Sequence, residues 1–143
     1  MIIFKENIYK KIQKELSKNP EFECGGILGK CENCITAFEY DKTGSNKSKN
    51  IYFPDVETLN VILKTWEKEN INFCGFVHNH PNGSAELSNG DINFALKIIN
   101  NFDNIDDLLM GIYVVTPDCK NNNLVWYLVR KDKVDKIYPD IIK

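Results

Sequence analysis

The sequence predicts an α/β (α+β) fold, a mixed β-sheet with flanking helices packed on it. Apolar residues recur at helical spacing in three separate stretches, and strand-like runs rich in β-formers lie between them. The resulting order is helix, strands, helix, strand, helix, strands, without an internal repeat or a long linker. At 143 residues the chain fits a single domain, 1–143, around one core.

Each element has its own signal. Between Asn7 and Ser17, Ile8, Ile12 and Leu16 recur every four residues among Lys, Gln and Glu, the stripe of an amphipathic helix that Asn19-Pro20 ends. Residues 25–29 (GGILG) and 35–38 (ITAF) read as a pair of strands joined by residues 30–34. Residues 41–50 (DKTGSNKSKN) hold no large apolar residue and read as a flexible loop. Residues 51–53 (IYF) read as a short strand. Pro54-Asp55 then opens a second helix, with Val56, Leu59, Ile62, Leu63 and Trp66 on its apolar face and an end near Asn70. Residues 73–80 alternate as a strand does, with Phe73, Gly75 and Val77 on one parity and Cys74, Phe76, His78 and His80 on the other. Ser88 is a good N-cap for a third helix, since Ile92, Leu96 and Ile99 follow at helical spacing with Ala95 beside them. Residues 109–116 and 124–130 read as two strands around the turn 117–123, and 131–143 carries no pattern of its own.

Composition narrows the function classes. Lys plus Arg total 18 against 20 for Asp plus Glu, and a net charge of -2 gives no drive toward phosphate backbones or anionic membranes. Nucleic acid is therefore disfavoured as a partner. After Met1 the apolar run is three residues long, too short for a signal peptide, and no stretch approaches the ~18 apolar residues of a spanning helix. The expectation is a cytoplasmic protein without a membrane partner. Five cysteines, an odd number, argue against a secreted disulfide framework and for mostly reduced thiols.

Both histidines of the chain lie in one short stretch, GFVHNHPNGSAELSNGD. Residues two apart on a strand face the same side, so His78 and His80 can present both imidazoles to one point. Pro81 cannot continue a central strand, and residues 82–87 can turn the chain before Ser88 opens the helix. Asp91 follows in the first helical turn, where the helix N-terminus favours a carboxylate. Two imidazoles, one carboxylate and a fourth position left to water match catalytic zinc. The same residues also admit a plain reading, with the histidine pair a coincidence and Ser88-Asn89-Gly90-Asp91 a capping box with Asp in the place of Glu. On these residues alone both readings stand.

The spacing His78-x-His80-Pro81, six residues, Ser88-x-x-Asp91 reproduces every position of the JAMM motif, and the chain in this respect resembles the JAB1/MPN/Mov34 metalloprotease superfamily. That superfamily has a glutamate upstream, where the first helix meets a strand, within Glu-x-x-Gly followed by apolar residues. Glu23-Cys24-Gly25-Gly26-Ile27-Leu28 fits, and is similar to the prokaryotic JAB branch; Glu21 lacks the glycine three residues on. The HNHPxG wording is also similar to the RadC-like branch. One departure is that Gly29 comes early in the first strand, with Lys30 after it, which bears on that strand's register.

The resemblance implies a cytidine-deaminase-like JAB/MPN architecture and one Zn2+ per chain held by His78, His80 and Asp91. It implies Glu23 as general base for a water that the metal acidifies, and Ser88 as a stabiliser of the tetrahedral oxyanion. The implied reaction is hydrolysis of a peptide or isopeptide bond in a protein or peptide substrate, at the C-terminus of a ubiquitin-like or sulfur-carrier protein. Two rivals follow from the same likeness: a non-catalytic MPN-type interaction module, and a RadC-like nucleic-acid-associated protein. Cys31-Glu32-Asn33-Cys34 could be half a zinc site or a redox pair, but without a second such pair it reads first as a tight turn. Cys24 beside Glu23 is discounted as a nucleophile because the histidines are committed to metal.

Overall fold

Eight strands and three helices make up the described residues of this computed structural model, which are 1–18, 20–42, 56–81, 83–118 and 120–143. The strands are β1 (Ile3–Lys5), β2 (Gly25–Cys31), β3 (Cys34–Tyr40), β4 (Asn72–His80), β5 (Asp107–Val114), β6 (Asn123–Arg130), β7 (Val134–Ile137) and β8 (Asp140–Ile142). The helices are α1 (Glu6–Leu16), α2 (Val56–Lys68) and α3 (Asn89–Asn101). All eight strands join one mixed sheet in the order β7-β6-β5-β4-β2-β3-β1-β8. The chain crosses through α3 between β4 and β5, so these two run parallel, whereas β2 pairs antiparallel with both β3 and β4.

The helices cover both faces of the sheet. Ile12 and Leu16 of α1 are fully buried against Phe4, Leu28, Val77 and Trp126. Leu59 and Trp66 of α2 and Ala95 and Ile99 of α3 pack on the other face, against Ile27, Phe76 and Met110. Burying each large apolar side chain is worth about 1.5–3 kcal/mol, which offsets the entropy of ordering the layers. The predicted mixed sheet with flanking helices is therefore what the residues form. No helix among the described residues is long and apolar enough to cross a membrane.

The alternation predicted for residues 73–80 needs one correction. Leu28 pairs with Gly75 and Gly29 with Phe73, so Cys74 has no partner on β2 and forms a bulge. The extra residue resets the period of two. Phe73 faces the α2 and α3 side and stacks edge-on against Phe76 at 5.2 Å, while Cys74 packs with Val77 in the opposite cluster. His78 and His80 lie beyond the bulge and keep the parity read from the sequence. A second irregularity falls between Gly29 and Lys30 against β3, at the glycine that comes early in its strand.

Other differences concern the ends of elements. β2 and β3 run on through Cys31 and Cys34, leaving Glu32-Asn33 as the turn. Asp41, expected in a flexible loop, is buried, with its N–H donating to the Gly25 carbonyl at 2.8 Å. β1, β7 and β8 were not expected as strands; β7 and β8 are edge strands with exposed positions, so no core-facing pattern marks them. The rest of the predicted loop (43–50), the strand 51–53, the helix start Pro54-Asp55, Asn19, Asn82 and Cys119 lie outside the described residues.

Candidate metal centre

β4 delivers both imidazoles to one point. His78 Nε2 and His80 Nε2 lie 2.9 Å apart, and both residues are buried. α3 brings the carboxylate. The Ser88 hydroxyl accepts from the Asp91 N–H at 3.0 Å, and Asp91 Oδ2 accepts from the Ser88 N–H at 2.9 Å, a complete capping box. The same carboxylate faces the histidines, with Oδ1 3.3 Å from His78 Nε2 and Oδ2 3.4 Å from His80 Nε2. Capping and convergence on the histidines are thus two duties of one side chain, and the two readings of the sequence do not compete.

Residues 83–85 hold the ring of His80 and the chain beside it. Gly83 takes a φ of +79°, a left-handed conformation that suits glycine, and its N–H donates to the His80 carbonyl. His80 Nδ1 lies 3.1 Å from the Ser84 carbonyl. A carbonyl only accepts, so Nδ1 carries a hydrogen, and Nε2 is the ring atom that faces Asp91 and His78 and is left for a metal. Tyr127 holds the turn from outside by donating its hydroxyl to the Ala85 carbonyl at 2.6 Å.

Glu23 comes from the junction of α1 and β2. Gly25 pairs with His78 and Gly26 with Val77, so the residues just before β2 run alongside the histidines. A Cβ on Gly26 would collide with the Glu39 carbonyl of β3, which is why glycine stands there. The Glu23 carboxylate and the two imidazoles offer ligand atoms that all lie within 4.8 Å of one another. Of the five residues singled out from the sequence, Glu23, His78, His80 and Asp91 therefore meet, and Ser88 sits beside them as the cap of α3.

Asn79 is the site residue that sequence reasoning missed. It points to the opposite face of β4 and is fully buried. Its Oδ1 accepts from the Cys24 N–H and its Nδ2 donates to the Phe22 carbonyl, both at 2.8 Å. The Asn79 N–H also donates to the Cys24 carbonyl at 3.0 Å. These bonds grip the backbone on either side of Glu23. The available signal was an amide on the core parity of a buried strand, a group that must find partners.

Electrostatics ties the donors together. Burial works against the Asp91 carboxylate, but the hydrogen bonds and charge of His78, with His80 and the Ser88 N–H, hold its carboxyl far below the usual range. Burial likewise works against a charged His80, yet the bond and charge of Asp91, with Ser84 and Glu23, raise its pKa above the ordinary histidine value. Burial pushes the Cys24 thiol up to about 11, so it stays protonated near neutral pH and is no nucleophile.

The donor set fits zinc. Ligands at 2.0–2.1 Å from a tetrahedral ion stand roughly 3.3 Å from one another. The separations among His78, His80 and Asp91 are 2.9, 3.3 and 3.4 Å. Nitrogen, nitrogen and oxygen are the donors that catalytic zinc takes, with a position to spare.

These features define an α/β protein with a candidate His-His-Asp metal centre and a carboxylate beside it. No protein-family model and no curated relative matches the sequence. Solved structures do match it. Protein DSY2949 from Desulfitobacterium hafniense has a TM-score of 0.78 at 18% identity, over 100% of this chain and 94% of that one. AF2198, a JAB1/MPN domain protein from Archaeoglobus fulgidus, has a TM-score of 0.55 at 14% identity and covers 100% of both chains. A structure described as a JAMM metalloprotease-like zinc site in the proteasome and signalosome has a TM-score of 0.53 at 15% identity, over 100% of this chain and 99% of that one. The fold is that of the JAB1/MPN domain proteins.

Proposed function

We propose that the chain is a zinc-dependent peptidase or isopeptidase of JAMM type, with one Zn2+ held by His78, His80 and Asp91. The observation that carries this reading is the meeting of those three side chains, with Glu23 in reach, on a JAB1/MPN fold. Zinc, when bound, acidifies a water and polarises the scissile carbonyl. Glu23 stands outside the ligand set, accepts the proton of the water and delivers it to the leaving amine. The Ser88 hydroxyl accepts from Asp91 N–H, so its own hydrogen is available to the oxyanion. His80, fixed by the Ser84 carbonyl, and Asp91, fixed by the Ser88 N–H, hold the donors in place for the metal.

The substrate in this reading is a protein or peptide, cut at the C-terminal glycine of a ubiquitin-like or sulfur-carrier protein in the cytoplasm. A net charge of -2 speaks against the RadC-like, nucleic-acid-associated alternative. The test is zinc per molecule by elemental analysis, with His78→Ala as control. One zinc, lost in the variant, is the expected result, followed by hydrolysis of a glycine-terminated peptide amide that Glu23→Ala abolishes. No zinc after reconstitution would overturn the proposal and leave a non-catalytic interaction module.

A further inference from the structure

The hairpin at the far end of β2 carries a second chemical feature. We propose that Cys31 and Cys34 form a reversible disulfide, making the tip of the β2–β3 hairpin a redox-active dithiol that takes a small-molecule disulfide as its oxidant.

Register is the first support. Cys31 and Cys34 are directly opposed partners across the two-residue turn Glu32-Asn33. Opposed residues of an antiparallel pair put their side chains on the same face. Their Cα atoms lie about 4.5–5.5 Å apart, inside the span of about 4.4–6.8 Å that a disulfide bridges.

Accessibility is the second. Both thiols are free; Cys31 is exposed and Cys34 half-buried, so one sulfur meets an incoming oxidant and the other waits beside it. The hairpin tip is held in register from outside, because Ile3 of β1 donates its N–H to the Asn33 carbonyl at 3.2 Å and pairs with Cys34. Cys24 and Cys74 do not compete, since burial pushes their thiols up to about 11 and about 12. A closed metal site does not explain the pair either. Among the described residues, the candidate metal ligands gather around His78 and His80, and no group of three or more includes Cys31 or Cys34.

The exchange balances with oxidised glutathione. The Cys31 thiolate attacks one sulfur of glutathione disulfide, forming a mixed disulfide and releasing one glutathione thiolate. The Cys34 thiolate then attacks the Cys31 sulfur and releases the second. Two electrons pass from the protein to the glutathione pair, and the two protons follow to the released thiolates.

The experiment incubates the whole chain in glutathione buffers of graded ratio, quenches with acid, alkylates and maps the peptides by mass. The expected result is loss of two hydrogens from the peptide carrying Cys31 and Cys34, with both sulfurs protected from alkylation and both recovered in reduced glutathione. Cys31→Ser, at an exposed position, should abolish the loss, and Cys34→Ser should trap a glutathione adduct on Cys31. A wild-type chain that stops at the adduct, pairs either cysteine with Cys119, or keeps both thiols free would overturn the proposal. Zinc content does not enter the readout, so the outcome is independent of the hydrolase reading.

Discussion

Asn79→Ala removes the amide that spans the backbone around Glu23. The Cys24 N–H loses its 2.8 Å acceptor inside the core, and leaving a buried donor unsatisfied costs about 1–3 kcal/mol. The Phe22 carbonyl loses its 2.8 Å donor in a half-buried place, a net loss of about 0.5–1.5 kcal/mol. Together the variant should be less stable by about 2–4 kcal/mol, a large part of the 5–15 kcal/mol of an ordinary domain. Urea denaturation of the metal-free protein measures this without the added stabilisation that bound zinc gives. With a slope of about 1–3 kcal/mol/M, the midpoint should fall by roughly 1–2 M. The folded variant should still take up zinc, because His78, His80 and Asp91 are untouched. A midpoint that moves by less than the equivalent of about 0.5 kcal/mol would refute the claim that Asn79 holds the Glu23 segment.

Further outcomes follow from the same geometry. Ser88→Ala should cost about 0.5–2 kcal/mol by removing the cap of α3 while zinc stays bound, whereas Asp91→Ala should keep the hydroxyl cap but lose zinc and the acceptor of the Ser88 N–H, as denaturation and metal analysis of the pair would show. In metal-free protein, His80 has a raised pKa, so its contribution is full below the unfolded value of 6.5 and is lost as pH rises through the folded one. Asp91 has a depressed pKa, so its contribution is present above 3.8 and is lost as pH falls through the folded value. The pair's contribution to the Tm of that form should thus be largest between pH 3.8 and 6.5, while the gain in Tm on adding zinc should shrink in acid because protons compete for His80. Gly75→Ala would drive a Cβ into the Leu109 carbonyl of β5, and the loss of about 1–3 kcal/mol typical of overpacking should appear in the urea midpoint.

What could be read from the chain is what is local in it. The parity of His78 and His80, and Ser88 three residues before Asp91, are properties of one short segment, and each stands where its spacing put it. Glu23 was found through its Glu-x-x-Gly context, and only strand pairing brings it to the histidines. Asn79 looked like a spacer because its partners, Phe22 and Cys24, lie far off in sequence. The bulge at Cys74 depends on the register of β2, which no pattern within residues 73–80 encodes. β1, β7 and β8 are short or lie at the sheet edge, where half-exposed positions erase the alternation that marks a buried strand.

The two halves of the candidate site also differ in when they can exist. All three proposed metal donors lie within residues 78–91, on β4 and the first turn of α3, whereas the Glu23 segment is tied in through Asn79 by contacts 57 and 55 residues apart in sequence. Closing the longer loop costs about 1 kcal/mol more in chain entropy, which favours gathering the proposed metal donors before the proposed base. On the proposed reading, a chain caught partway would hold zinc with no Glu23 carboxylate to take the water's proton. On that reading, competence to cut would then arrive last, with the strand pairing that completes the fold.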